Sequence, residues 1–217
     1  MHLYKTFLDK FEKAVIASKR EITEINLIAV SKKKPKEDIL EVIKLNQKLF
    51  GENQIQEIEK KWPSLKKKYN DLKLHFIGGI QSKKANSIYL NCDVIHSIDR
   101  QKLVKIFNDL EEKNKIKKEY FIQINTGNEP QKSGVLFSEA KLFIKETIEN
   151  SNLNIRGLMC LPPINEDPEK HFLKLRDLAT SFNLSSLSMG MSNDFETAIK
   201  CGATHIRIGS EIFGSRD

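Results

Sequence analysis

The sequence predicts an α/β protein with a single domain, a (β/α)8 TIM barrel that carries an extra helix at its N-terminus. Three observations predict this fold. Apolar runs of strand length occur eight times, segments with apolar residues at helical spacing lie between them, and one amphipathic segment precedes the first run. Strands that alternate with helices form parallel sheets, because each crossover helix covers one face of the sheet.

The predicted elements follow one another in a regular order. Apolar residues at helical spacing predict a first helix over residues 2–21, and the barrel is predicted over residues 26–214, within one domain of residues 1–217. The eight predicted strands are 26–31, 48–51, 74–78, 94–98, 121–125, 155–160, 186–190 and 205–209. Helices are predicted between them at 38–46, 101–112, 138–149, 170–182 and 195–200.

The chain length supports one domain and leaves one structural alternative. Barrels of this type typically have about 250 residues, and this chain has 217. No room is left for a second domain. The same alternation also fits a doubly wound sheet that does not close into a barrel. This open sheet remains the structural alternative.

Composition and charge exclude several classes of protein. The chain is 39% hydrophobic and 30% charged, an ordinary soluble mixture, and no apolar run approaches the roughly 20 residues of a membrane span. The N-terminus carries acidic residues and lacks the apolar core of a secretory signal, so we expect a cytoplasmic protein. The net charge of +7 comes mostly from scattered lysines, which favours a solvated surface over a specific nucleic-acid site.

The three cysteines point to packing. Cys92, Cys160 and Cys201 are far apart and form no CxxC pair, which excludes a zinc ribbon and a disulfide framework. Free cysteines are among the most buried residue types. We therefore predict three core thiols in a reducing compartment.

Lys32 is the first candidate functional residue. In a (β/α)8 barrel the active face is formed by the carboxyl ends of the strands, and Lys32 directly follows the apolar residues 27–30. Partial desolvation there would lower the pKa of its amine and make it a nucleophile toward aldehydes. Three further lysines and Pro35 follow within four residues, so a plain surface turn is the competing interpretation.

Two turns after the last two predicted strands have the composition of phosphate-binding loops. Ser192 opens the seventh loop, where Asn193 and Glu196 have the spacing of a capping box, and Gly209 and Ser210 follow the eighth strand. Hydroxyls and backbone N–H groups at such turns can bind phosphate, and barrels often bind phosphate in these two loops. Ordinary capping and turn chemistry is the competing interpretation.

Arg207 lies inside the last apolar run, where an arginine must find a partner. A structural ion pair would satisfy it. Lys32 and the two turns taken together indicate a phosphorylated aldehyde as the ligand.

Eight stretches of the chain resemble, in order, a known family, the pyridoxal phosphate homeostasis proteins (the YggS/PROSC type). They are LIAVSKKKP (27–35), FGENQIQE (50–57), HFIGGIQSKK (75–84), VIHSIDR (94–100), INTGNEPQKSGV (124–135), RGLMCLPP (156–163), LSMGMSNDFETAI (187–199) and GATHIRIGSEIFG (202–214). That family resembles the N-terminal barrel of alanine racemase. The resemblance implies a barrel of the alanine racemase N-terminal domain type that binds pyridoxal 5′-phosphate (PLP).

The resemblance implies roles for four residues at the aldehyde and the phosphate of the cofactor. Lys32 of AVSK would be the Schiff-base lysine. Ser192 of MGMS would hold the phosphate together with Gly209 and Ser210 of RIGS. The family commonly has threonine where Ser210 stands, and both residues carry a hydroxyl.

The resemblance also implies contacts with the ring. Arg207 of RIG would face the pyridine nitrogen, and Asn53 of FGEN would lie near the ring hydroxyl. His75 of HFIG is either a ring contact or a buried structural histidine. Lys83 stands where the family commonly has asparagine, so it receives no contact, and Lys132 is interpreted as a solvated loop lysine.

The implied role is PLP homeostasis, as a buffer or as a carrier that hands PLP to apo-enzymes. An arginine at the pyridine nitrogen weakens the electron sink that PLP catalysts need. Racemisation also needs a second proton donor, and none of the four tyrosines ends a predicted strand (Tyr4, Tyr69, Tyr89 and Tyr120). We therefore expect a monomeric, PLP-binding protein of the cytoplasm without robust catalysis, with no specific nucleic acid and no membrane as partner.

Two other classes of function stay open. One is a small PLP-dependent enzyme, such as an amino-acid racemase or lyase, with an acid–base group not identified in the sequence. The other is a basic interaction module, which would bind polyanions in a salt-dependent way and would not bind PLP.

Overall fold

The computed structural model describes residues 2–214, and their centre is a closed barrel of eight parallel strands. The strands in chain order are β1 (Asn26–Val30), β2 (Leu49–Glu52), β3 (Lys73–Phe76), β4 (Val94–Ile98), β5 (Glu119–Asn125), β6 (Val135–Leu136), β7 (Asn154–Cys160), β8 (Ser186–Ser188) and β9 (His205–Ile208). The barrel consists of all of these except β6.

Pairing between β4 and β5 closes the barrel. The other neighbours follow the order β4-β3-β2-β1-β9-β8-β7-β5, and every pairing is parallel. The short β6 adds to the carboxyl end of β5, where Ile124 pairs with Val135. The predicted barrel is confirmed, and the open doubly wound sheet is wrong.

Helices surround the barrel and connect its strands. Within residues 2–214 they are α1 (His2–Ala17), α2 (Lys36–Lys44), α3 (Ile55–Lys68), α4 (Ala85–Asn91), α5 (Gln101–Asn114), α6 (Ala140–Asn150), α7 (Pro168–Thr180), α8 (Phe195–Lys200) and α9 (Ser210–Phe213), with 3-10 turns at Ile22–Glu24 and Ser82–Lys84. Each predicted strand and helix is present, and the ends of most are shifted by a few residues. The first helix ends before residue 21, because Lys19 adopts a left-handed φ of 53° that turns the chain.

The residue pattern did not predict α3, α4, β6 or the four-residue α9. In α3 the buried residues Ile55, Ile58, Trp62 and Leu65 do recur at helical spacing. An internal proline, Pro63, and the three lysines that end the helix hid this pattern, because both features are typical of turns. Helix α4 and β6 are too short to give a periodic signal.

Helix α1 packs against the last elements of the barrel. The rings of Phe7 and Phe195 meet edge to face at 5.2 Å between centroids, and Lys10 pairs with Glu211 of α9 at 2.8 Å. Tyr4 donates a buried hydrogen bond to Gln47 at 2.8 Å. Since α9 has only four residues, α1 supplies the apolar helical face that covers this side. The organisation of residues 1–217 as one domain stays a prediction.

A chain of polar residues occupies the interior of the barrel. Nδ1 of His75 lies 2.9 Å from Nε2 of His96, and Nδ1 of His96 lies 2.8 Å from the hydroxyl of Ser188. That hydroxyl accepts a hydrogen bond from Arg207 at 2.6 Å. His205 packs beside both histidine rings. Burial lowers the pKa of His75 to about 3, that of His205 to about 4 and that of His96 well below its usual value.

The cysteines follow the sequence prediction. Cys92, Cys160 and Cys201 are free and buried. Burial raises the pKa of Cys92 and of Cys160 to about 12, so these two remain thiols at neutral pH.

Within residues 2–214 no helix has both the length and the apolar character needed to cross a membrane.

We expect these histidines to make the protein sensitive to mild acid. The pKa of His205 falls from 6.5 to about 4 on folding, so below pH 6.5 the unfolded chain binds a proton that the folded chain does not. Stability is therefore lost as the pH falls through this window. His205→Asn should reduce the slope of the free energy of unfolding against pH by about 1.4 kcal/mol per pH unit.

Urea unfolding at stepped pH tests this expectation. The slope, rather than the absolute stability, is the readout, because the substitution also changes hydrogen bonds that do not depend on pH. Parallel curves for the parent and His205→Asn between pH 5 and 6.5 would mean that His205 is not held neutral by the fold.

Candidate functional site

A cavity of about 520 Å³ opens at the carboxyl ends of the barrel strands. Its size suits a small-molecule ligand. All six residues that the sequence analysis assigned to a cofactor line it, namely Lys32, Asn53, Ser192, Arg207, Gly209 and Ser210. They come from the ends of β1, β2, β8 and β9, which the closed barrel brings to one rim.

Lys32 lies in a tight turn directly after β1. The amide of Lys34 donates to the carbonyl of Ser31 at 3.1 Å, and Lys33 adopts a left-handed φ of 61°. Lys32 is half-buried and its side chain lines the cavity. The competing interpretation of this segment as a turn is thus correct for the backbone, and the turn places Lys32 in the cavity wall.

Asn53 follows β2 and is held by close packing of two loops. A Cβ atom on Gly78 would lie 2.3 Å from the carbonyl oxygen of Asn53. Only a glycine therefore allows the loop after β3 to approach Asn53 this closely. The two residues line the same wall of the cavity.

Ser192 and Ser210 bring the last two loops together. The hydroxyl of Ser210 donates to that of Ser192 at 3.0 Å. Ser210 begins α9, whose first backbone N–H groups have no acceptor within the helix, and Gly209 is its N-cap residue. Two hydroxyls thus meet in the cavity lining, at the start of α9.

The capping box at Asn193 is not formed. Asp194 is the N-cap residue of α8, and its carboxylate accepts a hydrogen bond from the amide of Met191. This bond folds residues 191–194 back on themselves. Asn193 lines the cavity instead of capping the helix.

Arg207 is the buried cation at the floor of the cavity. It is 4% exposed, and it donates to the hydroxyl of Ser188 at 2.6 Å and to the carbonyl of Cys160 at 3.0 Å. Burial lowers the pKa of Arg207 below its usual value, but a guanidinium stays charged in proteins. Within residues 2–214 its hydrogen-bond partners are neutral, so the predicted structural ion pair is not formed.

Three other residues from the sequence analysis have different positions. His75 is buried in the barrel interior and bonds His96, so the structural interpretation holds among the described residues. Lys83 is exposed and lies outside the cavity lining. Lys132 does line the cavity, where it pairs with Glu129 at 2.6 Å and donates to the carbonyl of Pro162 at 3.1 Å. It is half-buried rather than a solvated loop lysine.

Sequence reasoning missed Lys34, Gln123 and Ser133, which also line the cavity. The amide of Gln123 donates to the carbonyl of Ser133 at 2.9 Å. Gln123 is a polar residue within the apolar run FIQIN, and that contrast could have identified it.

The lining as a whole has the chemistry of an anion site. It contains the amines of Lys32, Lys34 and Lys132, the guanidinium of Arg207 and the paired hydroxyls described above. Among the described residues that line it, none is acidic. A phosphorylated aldehyde fits such a donor set, because the phosphate needs cations and N–H or O–H donors while the aldehyde needs an amine.

Known proteins match nearly the whole chain. The family model "Alanine racemase, N-terminal domain" matches residues 8–217. A pyridoxal phosphate homeostasis protein from Aquifex aeolicus (strain VF5) is 38% identical over 218 aligned positions, which cover 96% of this chain and 95% of the relative. The chain belongs to the pyridoxal phosphate homeostasis protein family. The resemblance seen in the sequence motifs is thereby confirmed.

Solved structures support the fold over nearly the whole chain. PipY of Synechococcus elongatus PCC7942 with PLP bound is 28% identical, with a TM-score of 0.82 and coverage of 94% of this chain and 99% of PipY. Alanine racemase of Clostridium difficile 630 is 13% identical with a TM-score of 0.72, and this chain spans 55% of it. The second similarity concerns the fold alone.

Gly190 lies in the turn after β8 that leads to Ser192, and we expect this turn to tolerate no side chain. Gly190 has a φ of +93°, and a Cβ there would lie 2.6 Å from Cβ of Ala198. Gly190→Ala should lower the free energy of unfolding by about 3 kcal/mol through backbone strain and overpacking.

Gly209→Ala is the matched control for thermal or urea unfolding. Its φ is ordinary and the nearest atom to an added Cβ is 3.5 Å away, so we expect a loss of less than about 1 kcal/mol. Equal losses for the two variants would contradict the account of the turn.

Proposed function

We propose that this protein binds PLP in the cavity as a Schiff base on Lys32 and acts in PLP homeostasis as a buffer or carrier. The observation that carries the proposal is that Lys32, Arg207 and the Ser192–Ser210 pair line one cavity of about 520 Å³. When bound, PLP supplies an aldehyde that an amine can capture and a ring that withdraws electrons. PipY, a structural neighbour, has been solved with PLP bound.

Each part of the proposed site has a distinct task. Lys32 would bond the aldehyde carbon, and the hydroxyls of Ser192 and Ser210 with the N–H groups at Gly209 would hold the phosphate. Arg207 would point a fixed positive charge at the pyridine nitrogen, and Asn53 would contact the ring hydroxyl. Ser188 and the Cys160 carbonyl hold the guanidinium by two hydrogen bonds, which supports a rigid ring contact.

The cavity favours storage over catalysis. A cation beside the pyridine nitrogen disfavours its protonation and so weakens the electron sink. The hydroxyls of Tyr4, Tyr89 and Tyr120 donate hydrogen bonds to Gln47, Ile116 and Glu111 respectively, none of which lines the cavity. No tyrosine of residues 2–214 lines the cavity. These features support a carrier that passes PLP to apo-enzymes, and robust turnover of an amino acid would favour the alternative, a small racemase or lyase.

Lys32→Ala should abolish the PLP adduct that borohydride reduces to a stable amine. The fold should survive with a change of about 1 kcal/mol or less, because a half-buried lysine in a turn contributes little to the core. Weak, reversible PLP binding would remain through Ser192 and Ser210. Mass spectrometry after borohydride reduction measures the adduct.

Lys132→Ala is the matched control, because it removes another amine of the same cavity. We expect it to keep the adduct on Lys32. A normal yield of reduced adduct from Lys32→Ala would show that another lysine carries PLP.

Removing either proposed phosphate hydroxyl should weaken binding of PLP but not of pyridoxal, which lacks the phosphate. A hydrogen bond to a charged group contributes about 1.5–3 kcal/mol, so Ser192→Ala or Ser210→Ala should weaken PLP binding about 10- to 100-fold. Binding of pyridoxal should barely change. Titrations of both ligands measure the difference.

Ser133→Ala serves as the control, since Ser133 lines the same cavity but has no proposed phosphate contact. An equal loss of affinity for PLP and for pyridoxal in Ser192→Ala would mean that Ser192 does not hold the phosphate.

A further inference from the structure

The turn that carries Lys32 is attached to the outside of the barrel wall by an ion-pair cluster. We name Glu52, Glu57 and Lys61 the wall cluster. Lys61 pairs with Glu52 at 2.7 Å and with Glu57 at 2.9 Å. Glu52 ends β2, and the other two lie on α3. None of the three is among the described residues that line the cavity.

Each member of the wall cluster also bonds the turn of residues 31–34. Glu52 accepts from the hydroxyl of Ser31 at 2.8 Å, and Glu57 accepts from the amide of Lys33 at 2.6 Å. The ammonium of Lys61 donates to the carbonyl of Ser31 at 3.1 Å, with a longer contact to that of Lys34 at 3.4 Å. The turn is therefore bonded on both sides of Lys32.

The turn needs such anchors. Lys33 adopts φ 61° without being glycine, asparagine or aspartate. A backbone of this kind persists only where its surroundings hold it. The amide of Lys33 donates to Glu57 on α3, and this bond is one such hold.

Two members of the cluster are shielded from solvent. The side chain of Glu52 is fully buried, and that of Lys61 is 12% exposed. Glu52 also accepts from the indole of Trp62 at 3.2 Å, so one carboxylate oxygen receives three donors. Buried ion pairs contribute little net stability, because desolvation offsets their attraction. The hydrogen bonds from the cluster to the Lys32 turn point instead to a role in holding that turn.

We propose that Glu52, Glu57 and Lys61 are positioning residues that hold the Lys32 amine at the cavity, an inference that rests on the proposed function of Lys32. They act from behind the barrel wall and touch neither the cavity nor its ligand. Holding a nucleophile within about 1 Å of its productive position is worth as much as 100-fold in rate. The wall cluster therefore sets how fast Lys32 captures the aldehyde of PLP.

The test uses the full chain and two readouts. The first is the rate at which added PLP forms the borohydride-reducible adduct on Lys32. The second needs no PLP, and it is amide hydrogen exchange of Lys33 and Lys34, whose N–H groups bond Glu57 and Ser31 respectively. Lys61→Met and Glu57→Ala remove different anchors. Since Glu57 lies near the surface, its variant should fold even if Lys61→Met does not.

Two matched controls separate positioning from general stability. Glu111 is a second buried glutamate, and its partners lie near the start of β5. It pairs with Lys117 and accepts hydrogen bonds from the hydroxyl of Tyr120 and the amide of Lys118. Glu111→Gln is thus the control for Glu52→Gln. Glu59 lies on α3 two residues after Glu57 and bonds Ser87, so Glu59→Ala is the control for Glu57→Ala.

We expect Lys61→Met, Glu52→Gln and Glu57→Ala to slow PLP capture about 10- to 100-fold and to speed exchange at residues 33 and 34. Both controls should behave as the parent does. Faster exchange with an unchanged capture rate, or equal slowing by Glu111→Gln, would overturn the proposal. Failure of the parent itself to form an adduct would instead overturn the proposed function, and the exchange data would still report whether the cluster holds the turn.

Discussion

Closure of the barrel is the constraint on which the rest of the structure depends. The pairing of β4 with β5 completes a ring in which all eight strands run parallel. Their carboxyl ends must then meet at one rim. Residues as distant in sequence as Lys32 and Ser210 become walls of the same cavity.

Closure also creates an interior that must be filled, and here it is filled partly by polar groups. Arg207, Ser188, His96 and His75 form a continuous hydrogen-bonded chain. The two histidines stay neutral because burial lowers the pKa of each, so the guanidinium is the one fixed charge of this chain. A fixed charge at the floor of a cavity of cations and hydroxyls suits a phosphorylated ligand.

The sequence predicted what depends on local pattern and missed what depends on side chains meeting across the fold. Eight apolar runs identified the barrel, and the motifs that resemble the family identified six cavity residues. The helix α3 was hidden by Pro63 and lysines. The bonds of Lys61 to Ser31 and Glu52 join residues far apart in sequence. Nothing in the residue pattern distinguishes that lysine from its solvated neighbours.

The central claim is that Lys32 carries PLP in this cavity. Its most direct test is the visible absorbance of the purified protein after addition of PLP, recorded before and after borohydride. The account predicts a Schiff-base band that disappears on reduction, with the added mass on the peptide that contains Lys32. Absence of the band at saturating PLP, or a reduced adduct on a different lysine, would contradict it.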